Sequence, residues 1–217
     1  MAAFDLEEQE QISQIKGWWE ENGKLVTTLA VAAALASVGW QGWNWYRGKQ
    51  GAEASALYAV VQQAAAEQNA QKVREAAGQI IDKYSSTPYA DLAALLSAKV
   101  QNDAGDLKNA RVPLSWAVEH ANDPALRSIA RLRLAAVLFD DKAYDEALAQ
   151  LQAPVEGELA ARFADLKGDI LVAQGKPAEA RVAYKAAIEA LSTAVKAESS
   201  TLREIAQAKL DAIGGAQ

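Results

Sequence analysis

His120 is the single histidine in the 217 residues, and there is no cysteine. That scarcity decides most of the chemistry. Without cysteine there is no disulfide, thiolate nucleophile, haem attachment or thiolate zinc site. A Ser-His-Asp triad would have to use His120, and no GxSxG elbow precedes a helix. No phosphate loop and no GxGxxG occurs. The acid pairs Asp140-Asp141 and Asp145-Glu146 could serve acid–base work or a carboxylate metal site. They fall at turns and helix starts, where acids complement the helix dipole, and no EF-hand spacing surrounds them. His120, beside Asn122 and Asp123, reads as a helix terminator. No cofactor and no metal is expected.

The elements that would carry any other activity begin with an uncharged run. Leu25 to Tyr46 holds no Asp, Glu, Lys or Arg over 22 residues. As a helix it spans about 33 Å, against a hydrocarbon core of about 30 Å. Trp18 and Trp19 precede it, and Trp40, Trp43, Trp45 and Tyr46 crowd its far end. Amphipathic rings prefer the headgroup level, so these six residues are expected at the two membrane interfaces. Ala34-Leu35-Ala36 has the form of a signal-peptidase site, but the preceding residues carry six acids and two lysines, unlike a positive n-region. An uncleaved anchor is the reading taken.

Charge does not orient this anchor. Lys16 and Lys24 lie before it, Arg47 and Lys49 behind it. The net charge is −6, and the first 24 residues contribute −4 of that, two positive against six negative. Nucleic-acid binding, which needs a basic surface, is disfavoured. In residues 1–24, Ile12, Ile15 and Trp19 recur at helical spacing among acids. An amphipathic helix lying in the interface and a partner-docking helix both fit this pattern. Asn22-Gly23 is expected to break the helix before the span. Within the span, Ala30 and Ala34, Ala32 and Ala36, and Gly39 with Gly42 would permit close helix contact, or simply line a passive tether.

Residues 47–217 are rich in strong helix formers and show no alternating strand pattern. Turn residues fall at Asn69, Ser85 to Pro88, Gly105-Asp106, Asn122 to Pro124, Pro154 to Gly157 and Gly175 to Pro177. The fold predicted is all-α, a single transmembrane helix followed by a divergent α-solenoid. Leu166 to Ala190 carries Gly168, Leu171, Gly175, Ala180, Tyr184 and Ala187 at offsets that resemble the tetratricopeptide repeat. Ala147 precedes Ala180 by 33 residues, close to a period of about 34. Units are expected at about 52–84, 88–121, 124–152 and 156–193, with a closing helix at 199–213. Pro113 should kink or delay its helix, and Pro154 should shorten the one before it. An irregular helical bundle is the alternative.

Stacked helix pairs make a concave face lined by first helices. Projecting the repeat offsets places Leu95, Lys99 and Asn102 there from the second unit. Leu132, Ala136 and Phe139 come from the third, and Arg162, Asp165 and Asp169 from the fourth. Such a face suits an extended peptide or a partner helix.

The whole layout resembles a known family. EEQEQISQIKGWWEENGK, an anchor ending in GWQGWNWYRGKQ, then SALY and a divergent repeat array are similar to the YfgM-type ancillary subunits of the bacterial SecYEG translocon. The resemblance implies a single-pass protein of the bacterial inner membrane, with the N-terminus cytoplasmic and the array periplasmic. It implies association with the Sec translocon and with a membrane-anchored periplasmic chaperone, and assistance to unfolded secreted chains. It carries over no catalytic residue. A non-enzymatic scaffold is therefore expected. A membrane-anchored repeat adaptor for envelope or cytochrome assembly is the alternative, and an unrecognised hydrolase acting through a buried acid pair is a third.

Overall fold

A computed structural model describes residues 6–191 and 197–214, with side chains described for 11–191 and 200–214. Asp5 of the acidic segment and residues 192–193 of the fourth expected unit lie outside the described residues. Every regular element among those described is a helix. In chain order they are α1 Leu6–Ala66, α2 Ala70–Lys83, α3 Pro88–Asp103, α4 Leu107–His120, α5 Pro124–Asp140, α6 Tyr144–Gln150, α7 Gly157–Ala173, α8 Pro177–Ala190 and α9 Ala197–Gly214. Contacts divide the chain into two units, Met1–Gln50 and Gly51–Gln217.

The first unit is the N-terminal part of α1. It is long and apolar enough to cross a membrane, and its most apolar window is not buried. The expected break at Asn22-Gly23 is absent. Asn22 Nδ2 instead donates to the Trp18 carbonyl at 3.1 Å, and Thr27 Oγ1 donates to the Gly23 carbonyl at 2.7 Å. Both bonds follow the helix rather than leave it. Gly23 is covered by the Trp19 indole, so a Cβ there would come within 3.1 Å of Trp19 Nε1.

In the second unit, local signals start the helices. Asn69, Asp106 and Asp123 each accept a backbone N–H of the first turn through their side chains, at 3.0, 3.1 and 2.7 Å. Pro88, Pro124 and Pro177 occupy first helical positions, where a missing N–H costs nothing. Four helices end in the same left-handed turn, at Gln68, Gly105, Lys142 and Gly175, with φ of 54, 76, 62 and 72°. In each turn the next residue's N–H reaches back to a buried residue's carbonyl. The pairs are Asn69 to Ala64, Asp106 to Gln101, Ala143 to Leu138 and Lys176 to Leu171, at 2.8–2.9 Å. Two of the four turns use no glycine.

Pro113 does not delay its helix, which begins six residues earlier at Leu107. α4 runs through it to His120, with Pro113 buried in the packing. α6 is short, as Pro154 suggested, and ends at Gln150.

From α2 onward successive helices pack as neighbours, and α3 and α7 each also reach α5. The largest core cluster joins α3 to α7 around Leu114, Leu134, Leu138 and Ile170. A second gathers Val61, Val73 and Ile80 from α1 and α2 with Ala90 and Ala93 of α3. A third, around Leu171 and Tyr184, receives Leu210 and Ile213 from α9. Polar bonds between the helix layers recur at one offset. Tyr84 bonds Glu53, Gln101 bonds the Ala70 carbonyl, and Asn122 N–H bonds Asp91, each 31 residues apart.

Asp91 is the strained member. It is 2% exposed, and one oxygen accepts only the Asn122 N–H at 3.3 Å while the other has no partner. Burial pushes its carboxyl above the usual range. The Asn122 N–H and the Arg127 charge pull it back, and Asp123 adds to the rise. A raised native value means the folded state holds its proton more tightly than the unfolded state. Its contribution is therefore most favourable at acid pH and is lost as pH rises through the native value. Asp91→Asn should melt higher than the parent at pH 7, with the gap closing as pH falls through the carboxylate range. Thermal melts across that range in detergent measure this, and a gap that widens toward acid would contradict it.

Candidate partner-binding face

The residues that suggested chemistry hold structure. His120 stacks on Trp116, with centroids 5.4 Å apart and planes at 11°, and its Nδ1 lies 3.0 Å from the Trp116 carbonyl. Asp145 accepts from Gln174 Nε2 at 2.9 Å, and Glu146 pairs with Arg111. Asp140 and Asp141 are exposed at the end of α5. Among the described residues, no cluster of His, Asp and Glu has the makings of a metal site.

The expected groove residues separate into three groups. Lys99, Asn102 and Ala136 come together where α3 meets α5. With Ala98, Leu114, Arg133 and Val137 they line a cavity of about 240 Å³. Lys99 pairs with Asp103 one turn on. Arg133 reaches the Leu95 carbonyl at 3.4 Å, a long bond that leaves most of its donors to solvent. Asn102 Oδ1 is buried with no hydrogen-bond partner. An apolar floor with a guanidinium and an ammonium group at its edge is what a peptide carbonyl or an anionic side chain would meet.

Leu95, Leu132 and Phe139 do not line that cavity. Leu95 is 7% exposed and belongs to the core, and Leu132 and Phe139 pack against the same cluster. Phe139 sits 6.0 Å from the Tyr144 ring. In α5 the cavity is lined by Arg133 rather than Leu132. Arg133 lies three residues before Ala136, as Lys99 lies three before Asn102, so helical spacing could have found it.

The third group sits on α7. Arg162 is exposed and pairs with Glu158 at 2.7 Å. Asp165 and Asp169 face α9, where Lys209 Nζ reaches both at 2.8 Å. Tyr184 donates its hydroxyl to Asp169 at 2.8 Å, and Lys209 lies 5.7 Å over the Tyr184 ring. Burial alone would lower Lys209, but the hydrogen bonds and charges of the two aspartates outweigh it and hold the ammonium above the usual lysine value. Burial, then the Asp169 bond, push the Tyr184 phenol far above its usual range. These carboxylates are committed to the closing helix, which corrects their assignment to an open partner face.

At the membrane helix, Trp18, Trp19, Trp40, Trp43, Trp45 and Tyr46 are each half exposed or more. Trp43 and Tyr46 lie 6.2 Å apart, and Lys49 Nζ sits 5.8 Å over Trp45.

One membrane-length helix followed by stacked helix pairs defines a membrane-anchored helical-repeat protein. The sequence model of the family described as Tetratricopeptide repeat-like domain matches residues 16–215. The chain is 35% identical over 186 residues to the Ancillary SecYEG translocon subunit of Haemophilus influenzae, covering 85% of this chain and 90% of that one. It is 31% identical over 212 residues to the protein of the same name from Neisseria gonorrhoeae, covering 97% and 99%. The Escherichia coli protein of that name is 29% identical over 197 residues, covering 90% and 94%. The chain belongs to the family of ancillary SecYEG translocon subunits.

Proposed function

We propose that the protein is a non-enzymatic, single-pass inner-membrane subunit that associates with the Sec translocon. In this reading residues 1–24 are cytoplasmic, 25–46 cross the membrane, and the repeat domain is periplasmic. The observation that supports it is the match over 97% of the chain, anchor segment included, to a relative named as an ancillary SecYEG translocon subunit. The six interface aromatics fix the depth of the helix.

The physical logic is effective concentration. An anchor holds the groove of Lys99, Asn102, Arg133 and Ala136 near the translocon exit, so a weak contact is still well occupied. A membrane-anchored periplasmic chaperone and unfolded secreted chains are the partners proposed for that groove.

Co-purification in mild detergent tests this. The full chain should recover translocon subunits. A form lacking residues 1–46 should recover about tenfold less or lower, because losing the tether removes the avidity term, commonly about 10²–10⁴. Equal recovery by both forms would sink the anchor-based reading.

A further inference from the structure

The unbroken course of α1 through Asn22 and Gly23 changes what the preceding segment can do. An interfacial helix would have to turn away from the span, and this one continues it. At about 1.5 Å per residue, Ile15 lies about 15 Å and Ile12 about 20 Å before Leu25. The headgroup layer on each side is only about 5–8 Å deep. Trp18 and Trp19, at about 9–11 Å, can still reach headgroups with their long rings. Ile12 and Ile15 cannot be covered by lipid, even with a tilt of about 40°. Yet they are 48% and 67% exposed. Ile12, Ile15 and Trp19 share one helical face, at i, i+3 and i+7, and Val26 and Ala30 extend it into the span.

We propose that this face docks a neighbouring membrane protein whose Lys/Arg-rich extramembrane flank meets it. Charge selects that occupant. Residues 1–24 carry −4, and the rest of the chain carries only −2. A second parallel copy would set −4 against −4, and anionic lipid would repel it too. Membrane proteins concentrate Lys and Arg at the cytoplasmic ends of their spans, which complements an acidic segment on that side. The proposal rests on the cytoplasmic N-terminus and translocon association given above, and it assigns the contact to a face those readings leave open.

Site-specific photocrosslinking in native membranes tests it on the full chain. A benzophenone side chain at position 12 or 15 should capture an integral membrane protein, at a basic stretch flanking one of its spans. The same probe at Gln14 or Gly17, on other faces, should not. Ile15→Lys should cut capture from position 12 at least about tenfold, the scale of one central interface side chain. Ile15→Leu should retain it. Equal capture at all four positions, capture of lipid alone, or capture of a second copy of this chain would overturn the docking. If the full chain recovers the translocon but yields no such adduct, the docking fails and the functional reading stands. An adduct with the basic flank of an unrelated membrane protein has the reverse meaning.

Discussion

Gly168→Ala should destabilise the repeat domain by about 2 kcal/mol, although alanine is the better helix former. A Cβ at Gly168 would lie 2.4 Å from Tyr184 Cε1 and 2.6 Å from Cδ1, far inside contact distance. The ring cannot swing away. Tyr184 is 2% exposed, and its hydroxyl is held by Asp169, which Lys209 holds in turn. A clash this close belongs at the upper end of the range of about 1–3 kcal/mol that overpacking costs, and the gain of about 1 kcal/mol in helix propensity leaves a net loss of about 2 kcal/mol. The sign should invert when the ring is removed. Tyr184→Ala alone should cost about 3–5 kcal/mol. In that background Gly168→Ala should recover about 1 kcal/mol, because only the propensity gain remains. Denaturant unfolding of the four forms closes the cycle. A neutral or stabilising Gly168→Ala in the parent would show that α7 and α8 do not meet at this distance.

Leu138→Ala is expected to cost about 3–4 kcal/mol, within the range for a fully buried leucine. Leu138 is 2% exposed at the centre of the cluster that joins five helices. Its carbonyl also closes the Lys142 turn through Ala143 N–H. In an array where each layer is supported by its neighbours, one such loss propagates to both sides. The adjacent Phe139→Glu should also lower stability, by about 2 kcal/mol, since a carboxylate would replace a ring packed on Tyr144. Loss of partner binding with unchanged stability in Phe139→Glu would instead return that residue to the groove. Both variants are read by chemical unfolding alongside the parent.

The helix boundaries were legible because asparagine, aspartate, proline and glycine carry backbone instructions in their own chemistry. Asn69, Asp106, Pro124 and Pro177 stand where helices begin. The missing corners have a physical explanation. Gln68 and Lys142 adopt the left-handed turn that Gly105 and Gly175 adopt, and nothing in a glutamine or lysine announces it. The backbone bonds from Asn69 to Ala64 and from Ala143 to Leu138 close these turns without any glycine. The Asn22-Gly23 dipeptide misled in the opposite direction, since Trp19 covers the glycine and the helix simply continues.

Which face points where was harder to read. In α3, Ala90, Ala93, Ala94 and Ala98 are all buried while Leu92 is exposed. Side-chain size therefore does not mark the buried stripe, and the repeat offsets carried Leu95 to the concave face although it packs in the core. The roles of Asp165 and Asp169 depend on Lys209, 40 or more residues away. No local pattern links them.

That alanine-built interior sets the direction in which this protein can drift. Among the described residues, alanine makes up more than half of the buried apolar positions. An alanine has only one smaller replacement, glycine, so nearly every random substitution there adds volume to a site with no room. A leucine core erodes by leaving holes, which neighbouring chains relax to fill. This one fails by wedging its helices apart. Descendants of such a sequence are expected to vary freely on their surfaces and at exposed leucines such as Leu92, while the small residues between helices stay small.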